Sequence, residues 1–306
     1  MLSVVLPSYN EQMNIEHTAF RIKELLEEGG IAYEMVFVDD GSSDDTWNRI
    51  LSAQSADANI RGIKLSRNFG KEAAIYAGLA AAKGDCVVVM DCDLQHPPEK
   101  ILDMYQLWEE GFEVIEGVKA DRGSESALHR HMANVFYHII SKATDFDLQN
   151  ASDFKLLDRI AVDSLLMFRE KDSFFRALSS WIGFRTATVP YEVTERNAGM
   201  SSWDTRKLMG YAISNIMSFT TIPLQLVTVL GIAVFVFGVC VSTEAVAATI
   251  TGNGIEGFTT VLILCSFIGS AVMVSMGIMG LYIGKIYEEV KGRPKYIISK
   301  IAESAK

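Results

Sequence analysis

Asp91 and Asp93, one residue apart in the stretch VVVMDCDLQHPPEK, carry the residue types and spacing best suited to metal chemistry. They follow the apolar run Val87–Met90, which reads as a buried strand, so the strand end would deliver both carboxylates together. Two acids held that close repel, and a divalent cation relieves the repulsion while it bridges substrate phosphates. Hard oxygen ligands suit Mg2+ or Mn2+, and Mg2+ commonly takes only one or two protein carboxylates plus phosphates and water. Gln95 can add a neutral oxygen, and Pro97 and Pro98 fix the turn and start the next helix. An acid pair of this kind also occurs on ordinary solvated loops, so its context decides.

The elements around it supply that context. Within residues 1 to about 120, LSVVLP, EMVFVDD, NIRGIKLS, DCVVVMD and FEVIEGV read as buried strands of a parallel sheet. Segments with helical periodicity start near Gln12, Asp44, Gly70 and Pro98, and SSDDTWNRIL has Ser and Asp where a helix start wants caps. Alternating strands and helices imply an α/β sheet, in which ligands bind beyond the carboxyl ends of the strands. Three such ends are chemically loaded: PSYNE, DDGSSDDT and DCDLQHPPE.

The chain of 306 residues has a net charge of -10, so it offers no basic field for nucleic acid, whose binding rests on neutralising phosphates. Its four cysteines form no metal-ligand spacing or disulfide framework, which fits a reducing, cytosol-facing compartment. His96, His129, His131 and His138 show no recognised ligand spacing either. The start MLSVVLPSYNE lacks a basic segment followed by an apolar one, so no cleaved signal is expected.

Two runs, Ile222 to Ser242 and Phe258 to Gly284, contain no charged residue, and each exceeds the roughly 20 residues that span a bilayer core. The loop between them holds Glu244 and Glu256 but no Lys or Arg. Arg206 and Lys207 precede the first run, whereas Lys285, Lys291, Arg293 and Lys295 follow the second. The positive-inside rule then predicts a multi-pass protein of the cytoplasmic membrane with both termini in the cytoplasm.

Taken in order, VVLPSYNE, VFVDDGSSDDT, NFGKEAAIYAGL, MDCDLQHPPE, ASDFKLLDR, RALSSWIGF, RNAGMSSW and IYEEVKGRPKYII resemble the motifs of glycosyltransferase family 2. Within it, the chain is most similar to the membrane-bound polyprenyl-phosphate glycosyltransferases, the bactoprenol glucosyltransferases and dolichyl-phosphate mannose synthases. The resemblance implies a GT-A type nucleotide-sugar-binding domain over residues 1–200 and an amphipathic interface helix over 201–221. It further implies two transmembrane helices over 222–284 and a cytoplasmic tail over 285–306.

By the same resemblance, Pro7, Tyr9 and Glu11 line the nucleotide, Asp39 or Asp40 bonds its base, and Asp91, Asp93 and Gln95 hold the metal on the diphosphate. Lys71 lies near the donor, Arg196 reaches the diphosphate side, and Arg122 and Arg130 grip the acceptor phosphate. Asp93 and Asp153 take the catalytic positions, with the role of Asp153, base or sugar-orienting group, left open. Relatives commonly carry Lys where this chain has Ser202, which shifts one phosphate contact toward Arg206 or Lys207.

The implied reaction is inverting transfer of a hexose, with UDP-glucose as the leading donor, to a polyprenyl phosphate at a lipid bilayer. GDP-mannose, UDP-galactose and UDP-amino sugars are the alternative donors. Some members associate through their membrane helices, so a homo-oligomer is an expectation by analogy. A processive polysaccharide synthase is disfavoured by the lack of a Q-x-x-R-W motif. A non-catalytic membrane carrier remains the other rival.

Overall fold

Runs of β-branched and aliphatic residues produce the central sheet in the computed structural model, which describes residues 1–119, 152–168, 170, 174–192, 222–251 and 258–303. Strands β1 (Leu2–Ser8), β2 (Tyr33–Asp39), β3 (Ile60–Leu65) and β4 (Cys86–Val89) alternate with helices α1 (Ile15–Glu28), α2 (Thr46–Ala56) and α3 (Lys71–Ala81). Helix α4 (Lys100–Glu109) and strand β5 (Val114–Lys119) follow. Beyond residue 151 come β6 (Lys155–Asp158), α5 (Arg159–Met167), α6 (Phe175–Trp181) and β7 (Thr186–Tyr191). The chain then forms α7 (Ile222–Ile250), α8 (Phe258–Val290) and β8 (Ile298–Ala302).

The strand order is β7-β5-β6-β4-β1-β2-β3-β8. Strands β4, β1, β2 and β3 run parallel to one another, as the sequence predicts. The sheet as a whole is mixed, a correction to the parallel expectation: β6 runs antiparallel to β4 and β5, and β8 runs antiparallel to β3. The tail after the apolar runs thus supplies an edge strand, where Ser66 N–H donates to Ile297 O at 2.8 Å and Arg61 pairs with Glu303.

Helix packing follows from side-chain spacing. Ile15, Ala19, Ile22 and Leu26 recur on one face of α1, and that face is buried. Helix α3 is apolar nearly all round and buried from Ala73 to Leu79. It presses so closely on the sheet that a Cβ on Gly78 would stand 2.3 Å from Val5 Cγ1. Gly78→Ala is therefore expected to cost about 1–3 kcal/mol through overpacking. A denaturant midpoint equal to wild type would contradict this contact.

The chain divides into two compact units, Met1–Ala212 with Pro294–Lys306, and Ile213–Arg293. In the second unit, α7 and α8 each contain a stretch long and apolar enough to cross a membrane, Pro223–Ala248 and Phe267–Val290. The two helices touch through Phe237 and Phe267, whose ring centroids are 5.8 Å apart. Their apolar side chains face outward, with Phe235 71% and Met273 69% exposed, which is the reverse of a soluble core helix.

Candidate active site

The carboxyl ends of β1, β2 and β4 lie side by side, so the three loaded loops meet at one rim of the sheet. After β1, Pro7 is buried in the strand and Tyr9 is exposed. Glu11 is tied in place where its N–H donates to Thr46 Oγ1 at 2.9 Å and its carboxylate accepts from Asn14 Nδ2. After β2, Asp39 is fully buried, accepts from Ser42 N–H at 2.7 Å and pairs with Lys64 at 3.1 Å. Asp40 accepts from the N–H groups of Phe69 and Gly70 at 2.7 and 2.8 Å. Burial raises the Asp40 pKa against those two hydrogen bonds. Asp40 therefore spends both oxygens on the backbone that launches α3, where Gly70 adopts φ 103° and Lys71 begins the helix.

Lys71 is the centre of the site. Its Nζ lies 2.7 and 2.9 Å from the two carboxylate oxygens of Asp91 and 2.8 Å from Asp153 Oδ2. Asp91 stands just beyond β4 with its side chain 29% exposed, and Asp153 stands just before β6 and is only 4% exposed. On the far side of Asp153, Arg176 of α6 closes a two-pronged pair, Nε to Oδ1 at 2.7 Å and Nη2 to Oδ2 at 2.8 Å. Burial opposes charge on Asp153, but Arg176 and Lys71 outweigh it and hold the carboxyl well below the usual range. Asp91 is also lowered: burial opposes it, and the adjacent Lys71 prevails.

The turn after Asp91 is built to hold these groups still. Asp93 is buried and accepts from Gln95 N–H at 3.1 Å, and Leu94 adopts φ 57° between them. His96 folds underneath, its Nδ1 accepting from Asp91 N–H at 3.3 Å. Its ring stacks on Phe154 at 5.0 Å and meets the edge of Tyr191 at 5.5 Å. Burial keeps the imidazole pKa low, so this histidine is a neutral acceptor near pH 7. Tyr191 is accordingly a core residue.

Glu72, beside Lys71, accepts from Phe175 N–H at 2.9 Å and so fastens α3 to α6. Burial and the charge of Asp153 push its pKa up to about 7. A carboxyl raised in the folded state contributes stability that is fully present below its unfolded pKa and is lost as pH rises through about 7. The melting temperature of the wild type is thus expected to fall between pH 5 and pH 8 by more than that of Glu72→Gln, which keeps the acceptor and cannot ionise. Parallel melting curves would contradict it.

The site suits a divalent cation. The donor oxygens of Asp91 and Asp93 are hard, and Asp91 already binds a positive charge, the ammonium of Lys71. Among the described residues no group of three or more His, Cys, Asp or Glu side chains is poised around one ion, so substrate oxygens and water must complete any coordination sphere. The structure brings together Lys71, Asp91 and Asp153, with Asp93 and Gln95 on the adjoining turn and Asp40 behind the helix start. Arg122, Arg130 and Arg196 lie outside the described residues, as does the segment 201–221. Arg176 and His96 are the site residues that spacing alone missed. Both sit in motifs quoted above, but an arginine in a short helix reads as a surface charge until its partner 23 positions away is known.

An acidic, cation-bridged rim at the carboxyl ends of a mixed α/β sheet is the architecture of a GT-A sugar-transfer domain. Residues 3–172 match the family described as glycosyl transferase family 2, and the chain belongs to that family. It is 34% identical over 302 residues to an uncharacterised glycosyltransferase of Synechocystis sp., covering 98% of this chain and 95% of that one. It is also 34% identical over 302 residues to the bactoprenol glucosyl transferase of Shigella phage SfV, with 97% of each chain covered. Among solved structures, glucosyl-3-phosphoglycerate synthase from Mycobacterium tuberculosis, in complex with Mn2+, UDP and glucosyl-3-phosphoglycerate, aligns with a TM-score of 0.48 at 21% identity. That alignment covers 71% of this chain and 77% of the other.

Proposed function

We propose that the protein transfers glucose from UDP-glucose to a polyprenyl phosphate at the membrane, with inversion at the anomeric carbon and with Mg2+ or Mn2+ as cofactor. The observation that carries this reading is the near full-length similarity to bactoprenol glucosyl transferases, which spans the acidic rim and both membrane-length helices. The name of those relatives supplies the sugar and the lipid; the residues of this chain supply the chemistry.

The leaving group is a nucleoside diphosphate, on which negative charge grows in the transition state. Asp91, Asp93 and Gln95 would hold the cation that neutralises this charge, and Lys71, which pairs with Asp91 in this structure, would bring a protein cation to the diphosphate. Pro7, Tyr9, Glu11 and Asp39 form the rim where the nucleotide would lie, and Arg196 would reach its diphosphate. Arg122 and Arg130 would bring in the acceptor phosphate, which is already anionic and attacks without being deprotonated.

That acceptor chemistry fits Asp153. A carboxylate held by Arg176 and Lys71, with its pKa well below the usual range, is a poor proton acceptor. Asp153 is therefore assigned to orienting the sugar, and to pairing with Lys71 in the donor-free protein, rather than to general base catalysis. The helices α7 and α8 would anchor the protein in the cytoplasmic membrane with both termini inside, following the distribution of Lys and Arg at their ends.

The test is transfer of labelled sugar into an organic-extractable lipid, using purified full-length protein, undecaprenyl phosphate, a panel of UDP and GDP sugars, and Mg2+ or Mn2+. Lipid product from UDP-glucose that disappears with chelator is the expected result. Product from another sugar would correct the donor, and donor binding without lipid product would overturn the transfer reading.

A further inference from the structure

The bridging ammonium of Lys71 occupies the place at Asp91 that a divalent cation needs. We infer that Lys71 is an exchangeable internal cation, which holds Asp91 in the donor-free protein and swings onto the nucleotide's diphosphate when metal and donor bind together. This rests on the reading above that the rim binds a metal with a nucleotide sugar.

The two carboxylates bound by Lys71 are not equivalent. Asp153 keeps a two-pronged partner in Arg176 and needs no second cation. For Asp91, Lys71 is the ion-pair partner among the described residues, at 2.7 Å. Leaving Asp91, whose side chain is 29% exposed, without a cation would strand a partly buried carboxylate, so the fold supplies one of its own. The Lys71 side chain is 42% exposed and has room to move, whereas its backbone start is clamped by Asp40 through Phe69 and Gly70. The base of the arm stays fixed while its tip is free to change partners.

A divalent ion on Asp91 and an ammonium within 3 Å of the same oxygens cannot coexist cheaply, because like charges at that separation repel strongly at a partly buried site. Metal arriving alone must evict Lys71 with no new anion to receive it. A nucleoside diphosphate changes the balance twice over, since it offers an anion to the displaced ammonium and oxygens to complete the metal's shell. The two ligands consequently assist one another, and by linkage each raises the other's affinity by the same factor.

The experiment measures Mn2+ binding to the full-length chain from the loss of the free-ion paramagnetic resonance signal, with and without UDP. Wild type is expected to bind Mn2+ weakly alone and about tenfold or more tightly with UDP, within the usual 5- to 150-fold range of such coupling. Lys71→Met should bind Mn2+ alone about tenfold more tightly than wild type, with the gain from UDP reduced accordingly. Lys71→Arg, which keeps the charge, should bind Mn2+ alone as weakly as wild type, so a general disturbance of the site would be distinguished from loss of the cation. Lys71→Met binding Mn2+ alone no better than wild type, while wild type still binds Mn2+ with UDP, overturns the role of Lys71 and leaves the functional reading standing. Failure of the wild type to bind Mn2+ with UDP overturns both.

Discussion

Asp91→Asn is expected to lower sugar transfer by at least about 100-fold at saturating metal, the scale on which loss of one group stabilising transition-state charge is felt. The change removes half a charge-bearing site without altering shape, and the fold should survive it: Asp153 retains both Arg176 and Lys71, and His96 still accepts from the backbone of residue 91. On the proposed reading the loss should fall on turnover as well as on metal affinity, because the cation that Asp91 would hold neutralises charge that develops only as the diphosphate leaves. Rates near wild type with added Mn2+ would refute the assignment of the rim to diphosphate chemistry.

Lys155→Ala should have the largest effect on stability. Lys155 is fully buried, pairs with Glu116, donates to Ser179 Oγ at 2.7 Å and reaches Arg176 O at 3.3 Å. Removing one partner of such a pair leaves the other charge buried and uncompensated, which costs about 3–5 kcal/mol. Replacing both, as in Lys155→Met with Glu116→Leu, should recover much of that loss, because no lone charge remains. The check is the unfolding free energy of the wild type and the two variants; a double variant no more stable than Lys155→Ala would show that the network, not the charge balance, sets the cost. The same network seats α6, so Lys155→Ala is expected to loosen Arg176 from Asp153 as well.

The first five strands and the helices between them were legible from apolar runs of strand length, helical periodicity between them and acids after three of the strand ends. The last three strands were not. Strand β6 has a lysine at its first position, and a buried lysine contradicts the pattern of a buried strand until Glu116 is seen opposite it. Strand β7 alternates exposed and buried residues and carries Pro190, both marks of an edge, which is where it lies. Strand β8 reads as a polar tail because only Ala302 of its five residues is buried.

In the site, the acid pair announced itself by spacing, and Asp153 entered through family resemblance. The cation that joins Asp91 to Asp153, Lys71, was expected near the donor by resemblance, but its pairing with the two acids was not. Its significance depends on three segments, around 71, 91 and 153, converging in space, and no local pattern encodes that convergence. Asp39 and Asp40, two strand-end acids read as candidates for the nucleotide base, also hold the protein's own structure, Asp39 through Ser42 N–H and Lys64 and Asp40 through the N–H groups of Phe69 and Gly70.

Strand β8 also sets an order of assembly. Ser299 donates to Lys64 O across a sequence separation of 235, so the outer edge of β3 stays uncovered until both long apolar helices have left the ribosome. During synthesis the amino-terminal half must persist with an open strand edge, the kind of surface that recruits other chains. Only once both helices have been made can the covering strand return to that edge, so completion of the sheet waits on their synthesis. Versions of the protein cut before α7 would forfeit that protection and should self-associate even with every residue of the acidic rim in place.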